Sequence, residues 1–110
     1  MYKKLIVLSV FLIFKQGNVM ADTLPQGALQ EGSLSNQKLI NDTMQGVVSN
    51  IAAQGCEKID TISPYVTQMP KGSIGQQIWR EMWIVTGCSN TYPLNITFIE
   101  NSTGVTWIVK

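Results

Sequence analysis

The sequence contains no histidine. That removes the commonest general base and the commonest metal ligand at neutral pH. Ser-His-acid and Cys-His nucleophilic chemistry go with it. Cysteine is nearly missing too: Cys56 and Cys88 are the only two, and no C-x-x-C string occurs. Two lone cysteines without histidine make a poor zinc site. Charged residues are only 14% of the 110, with a formal net charge of +1. Without a basic or acidic tract there is no electrostatic footprint for nucleic acid. Gly72 and Gly75 lack the strand–loop–helix setting of a phosphate loop. No apolar run is long enough to cross ~30 Å of hydrocarbon.

What is present first is an export signal. Lys3 and Lys4 form a positive start, Leu5 to Phe14 is an apolar run interrupted only by Ser9, and Val19-Met20-Ala21 offers a cleavage site. Residues 1–21 therefore read as a cleavable signal peptide, with Asp22 as the new N-terminus. The remaining 89 residues, having lost Lys3, Lys4 and Lys15, carry a formal charge of −2. A domain of that size buries a modest fraction of its surface and benefits from reinforcement. Export to an oxidising compartment makes Cys56–Cys88 a structural disulfide, in preference to a reactive thiol or a metal site. Closing that loop is worth ~3–4 kcal/mol in the chain-entropy model.

Along the exported part, residues 22–32 hold Pro25, Gly27 and Gly32 with little periodicity and read as a flexible leader. A single small domain over 33–110 follows. Ser33 or Ser35 is placed to cap a helix whose apolar stripe is Leu39, Ile40, Met44, Val47, Val48 and Ile51. Gly55 ends it before Cys56. Beyond Cys56 the texture is β. Lys58 to Ile62 and Tyr65 to Gln68 are short extended stretches broken at Pro64. Pro70 to Ser73 is a turn, Ile74 to Thr86 the longest strand, and Ser89 to Pro93 a second turn. Leu94, Ile96 and Phe98 alternate with polar neighbours, Asn101 to Gly104 makes a hairpin loop, and Val105, Trp107 and Val109 complete the last strand. Pairing Glu100 with Val105 sets Phe98 opposite Trp107 and Ile96 opposite Val109, so the apolar side chains share one face. The expected fold is α+β: one N-terminal amphipathic helix packed on a three- to four-stranded antiparallel meander, stapled by one disulfide.

The most unusual string is Trp79-Arg80-Glu81-Met82-Trp83-Ile84-Val85-Thr86-Gly87-Cys88. In a strand, Trp79, Glu81, Trp83 and Val85 point one way, and Ile78, Arg80, Met82 and Ile84 the other. A carboxylate between two indoles suits recognition of a sugar, peptide or cation, so Trp79, Glu81 and Trp83 are the ligand-binding candidates. The plainer reading makes the indoles core and Glu81 their hydrogen-bond acceptor. Both faces of this strand are largely apolar, and one helix covers only one, so something else must cover the other.

The pattern W-x-E-x-W-x-V-x-x-C, an alternating strand ending in Phe, and G-x-T before the last strand resembles small secreted proteins of Gram-negative bacteria. The matching residues are Trp79, Glu81, Trp83, Val85, Cys88, Phe98, Gly104 and Thr106, over roughly the C-terminal third. The resemblance implies export and a disulfide, and brings no activity with it.

A two-carboxylate glycosidase could draw on Asp60, Glu81 and Glu100, but no cleft is arguable for them. Asn41, Asn95 and Asn101 begin N-x-S/T strings, with Asn101 read first as a hairpin residue. The function expected is a non-enzymatic periplasmic or secreted binding or accessory module, acting through an exposed sheet face or strand edge. Its expected partner is another protein of the cell envelope, with a homodimer also compatible. No cofactor, catalytic residue, metal ligand, nucleic acid or lasting membrane anchor is expected. The alternatives are an inhibitor or immunity-type protein that blocks an envelope enzyme, and a small secreted enzyme.

Overall fold

The computed structural model describes residues 24–110, so the signal expected over 1–21 lies outside it. The elements run β1 (Gln30–Glu31), α1 (Gln37–Ala53), β2 (Thr61–Lys71), β3 (Ile78–Gly87), β4 (Asn90–Asn101) and β5 (Gly104–Val109). All strands belong to one antiparallel sheet in the order β1-β2-β3-β4-β5. This corrects the expectation of a three- to four-stranded meander: the described residues are mostly a five-stranded antiparallel sheet, with one helix. The fifth strand comes from the leader, where Leu29 N–H donates to the Val66 carbonyl at 2.7 Å and Gly32 N–H to that of Pro64 at 2.9 Å. Two exposed residues carry no alternation, so β1 has no periodic signature.

The α1 N-cap is Asn36 in place of Ser33 or Ser35, its Oδ1 accepting the Leu39 N–H at 2.9 Å. Thr43, Val47 and Ile51 form the buried stripe of the helix. Gly55, at φ +98°, reverses the chain into Cys56, whose N–H bonds back to the Ile51 carbonyl at 3.1 Å.

Strand β2 runs unbroken through Pro64, against the expected break. Ser63 and Tyr65 flank it opposite Ile84 and Met82, and Pro64 itself stands opposite Trp83. The missing N–H of Pro64 faces away from β3, toward the point where the leader leaves the sheet. Pro93, expected in a turn, likewise lies inside β4, opposite Ile84. The actual turn is Cys88-Ser89, both at positive φ (52° and 61°), closed by Gly87 opposite Asn90. This two-residue, left-handed geometry matches the twist of a hairpin. Ile74 likewise belongs to the turn before β3, and the strand begins at Ile78.

The β4–β5 register is Ile96 with Val109, Phe98 with Trp107 and Glu100 with Val105, as alternation predicts. The core lies between α1 and one sheet face, and includes Val47, Ile51, Trp79, Trp83, Val85, Leu94, Ile96 and Phe98. The Trp79 and Phe98 rings stack at 5.0 Å. Cys56 and Cys88 form the disulfide, with Cα atoms 5.9 Å apart, tying the end of α1 to the β3–β4 turn. A Cβ on Gly87 would collide with the Lys58 carbonyl oxygen, so glycine lets the 56–60 segment cross the strand end.

Candidate binding face

Alternation along β3 sends Trp79, Glu81, Trp83 and Val85 inward. Glu81 is fully buried, and Trp79 and Trp83 are 8% and 2% exposed. Trp79 Nε1–H donates to Glu81 Oε2 at 2.9 Å and Trp83 Nε1–H to Oε1 at 2.8 Å. Leu34 N–H adds a third bond to Oε2 at 3.0 Å. Three donors around one carboxylate satisfy a group that would otherwise be costly to bury. The arrangement pins the chain before α1 onto the sheet. The structure thus places all three ligand-binding candidates beneath the helix, where their polar atoms serve one another.

The other carboxylates weighed for hydrolysis are not gathered with Glu81. Asp60 precedes β2, beside Thr86 at one end of the sheet, while Glu100 bonds to Gln77 at the other. Among the described residues no three Cys, Asp or Glu side chains cluster to hold a metal ion.

The opposite face carries no helix. Cross-strand pairing puts Tyr65 beside Met82, Ile78 beside Ile99, and Thr97 between Arg80 and Ile108. Ile78 and Ile108 are 40% and 44% exposed. Arg80 and Lys110 line a shallow groove with Gln68, Asn95 and Thr97. Lys71 shares this face through its pairing with Ile78. None of these three cations meets a carboxylate: Lys38–Asp42 on α1 is the only ion pair among the described residues. Glu31, opposite Tyr65, is the one acidic side chain that strand pairing places on this face, at the far edge. The face is therefore mixed: Arg80 lies on the central strand between Ile78 and Met82, with Gln68 and Thr97 beside it, and apolar side chains stand on either side of it.

A second surface feature went unread in the sequence. The turn Ser73–Gln76 closes with Gln76 N–H to the Ser73 carbonyl at 2.8 Å, with Gly75 at φ +91° in its third position. Glu100 Oε1 accepts the Gly75 and Gln77 N–H groups at 3.0 and 3.1 Å. Ile74, at the tip, is 96% exposed. Composition pointed to a turn nearby, but only the fold shows a carboxylate 23 residues away bracing it. Among the described residues no helix is long and apolar enough to cross a membrane. No family model, curated protein or solved structure matches this chain.

Proposed function

We propose that the chain is an exported, non-enzymatic binding module of the bacterial envelope, and that the helix-free face of its sheet docks a protein surface carrying apolar side chains and carboxylates. The observation behind this reading is the helix-free face, where the exposed Ile78 and Ile108 and the half-buried Met82, Ile84 and Ile99 are interspersed with the cations Arg80, Lys71 and Lys110, none of which meets a carboxylate among the described residues. Burial of those apolar side chains supplies affinity, and the charge among them selects the partner. Export is supported by the pattern over residues 1–21, by the disulfide, and by the resemblance to small secreted proteins. The test compares retention of envelope proteins by the immobilised wild-type chain, Arg80→Glu, Met82→Asp and the helix variant Val48→Asp. A partner retained by wild type and Val48→Asp but lost by both sheet variants fits the proposal. Equal retention by all four contradicts it.

One observation favours a second reading, an inhibitor or immunity-type protein. The Ser73–Gln76 turn holds Ile74 rigidly outward, and a pre-ordered loop loses little entropy when its tip enters an apolar pocket. That reading requires Ile74→Ala to abolish inhibition of an envelope enzyme while the open-face variants retain it.

A further inference from the structure

The two edges of the sheet are built differently. On one side β1 covers only two residues of β2, and the rest of that edge carries Pro64, Pro70, Lys71 and two register irregularities. Proline, charge and bulges are the features that stop one sheet edge from pairing with another. The opposite edge, β5, has none of them: Gly104-Val105-Thr106-Trp107-Ile108-Val109 contains no charge and no proline, and its register with β4 is unshifted.

The hydrogen-bond phase shows what this edge offers. Asn95 and Lys110 exchange both backbone bonds, at 3.1 and 2.8 Å, so the even-numbered residues of β5 bond to β4. The N–H and C=O groups of Val105, Trp107 and Val109 consequently point outward, and among the described residues no strand lies beyond them. The side chains are nearly symmetric about Trp107: valine two positions away on each side, a β-branched Thr106 or Ile108 one position away. An antiparallel two-fold through Trp107 sets Val105 against Val109 of the second copy and Thr106 against its Ile108. Each outward donor then finds an outward acceptor, which is the self-complementarity that a two-fold interface requires. On the inner face the two half-buried Trp107 rings come side by side, while α1 braces each strand from behind where Gly46 meets Trp107 and Val109. No charge meets a like charge along the seam.

We infer that two copies of this chain pair β5 to β5, making one continuous ten-stranded sheet. This goes beyond the docking role of the open face: it rests on the outward backbone groups of β5, and of the docking residues it involves only Ile108. The experiment is sedimentation velocity on the full disulfide-bonded chain at up to about 200 µM, with amide exchange on the same samples. Two exposed-position variants test the register. Thr106→Lys with Ile108→Lys opposes like charges twice across the two-fold, whereas Thr106→Glu with Ile108→Lys opposes unlike ones. The wild type is expected to dimerise, with slow exchange at Val105, Trp107 and Val109. The doubly cationic variant should weaken dimerisation at least about tenfold, and the Glu/Lys variant should restore it. A wild type that stays monomeric overturns the inference. So does a dimer whose three β5 amides exchange freely, or one indifferent to the sign of the charges.

Discussion

Gly46 lies flush against the indole of Trp107: a Cβ there would overlap the ring carbon Cζ3 and approach Cη2 to 2.8 Å. A glycine in mid-helix costs about 1 kcal/mol relative to alanine, so its presence in α1 looks like a local defect from the sequence alone. The fold supplies the reason, because the missing side chain is what lets α1 settle onto β5. Gly46→Ala should therefore destabilise by about 1–2 kcal/mol despite its better helix propensity, since overpacking outweighs the gain. Urea denaturation checks this, and a stabilised variant would mean the helix can slide off Trp107 without loss.

Glu81 joins three donors, two from β3 and one from the segment before α1, so its replacement should be felt in both. Glu81→Gln retains the shape but offers only one acceptor oxygen, leaving an indole N–H facing an amide N–H. A loss of roughly 1–3 kcal/mol is expected. Glu81→Ala removes both oxygens, so faster exchange of the Leu34 amide should accompany that variant. Unchanged exchange at Leu34 would show that the segment before α1 is held by other contacts. Trp83→Ala should cost about 3–5 kcal/mol, the usual effect of truncating a buried large aromatic.

The Cys56–Cys88 bond fastens the end of α1 to the β3–β4 turn. Cys56→Ser should destabilise by about 2–5 kcal/mol. Thiol labelling of the denatured, unreduced chain should find no free sulfhydryl. Stoichiometric labelling of both cysteines in freshly isolated protein would contradict the bond.

Glu100 and Ile74 separate rigidity from stability. Glu100→Ala should speed exchange at Gly75 and Gln77 and reduce global stability by about 1–2 kcal/mol, the scale of one or two hydrogen bonds. Ile74→Ala touches nothing in the fold and should stay within about 0.5 kcal/mol of wild type. A larger loss at Ile74 would indicate that its side chain packs against the domain.

What could be read in the sequence follows from which signals are local. Leu94, Ile96 and Phe98 alternate against Val105, Trp107 and Val109 around a turn with one glycine, so the β4–β5 register was determined by face matching alone. Trp79, Glu81 and Trp83 were correctly placed on one side by period two, but alternation does not say which side the helix covers. The prolines misled because their effect depends on direction: Pro64 and Pro93 sit within strands, each with its absent N–H turned away from β3. The turn at Cys88-Ser89 comes earlier and is shorter than the Ser89–Pro93 that composition suggests, because neither residue advertises a positive φ and Pro93 draws the eye. β1 was illegible, being two residues long and defined only by what β2 offers it.

The central claim is that the helix-free sheet face meets a partner. Its most direct test places a photo-crosslinking residue at Met82 in one variant and at Val48, exposed on α1, in another, and irradiates cells that express each. The account predicts one discrete crosslinked product from position 82, abolished by Arg80→Glu in the same chain, and none from position 48. Crosslinking from position 48 alone, or a product at 82 that survives Arg80→Glu unchanged, would contradict it.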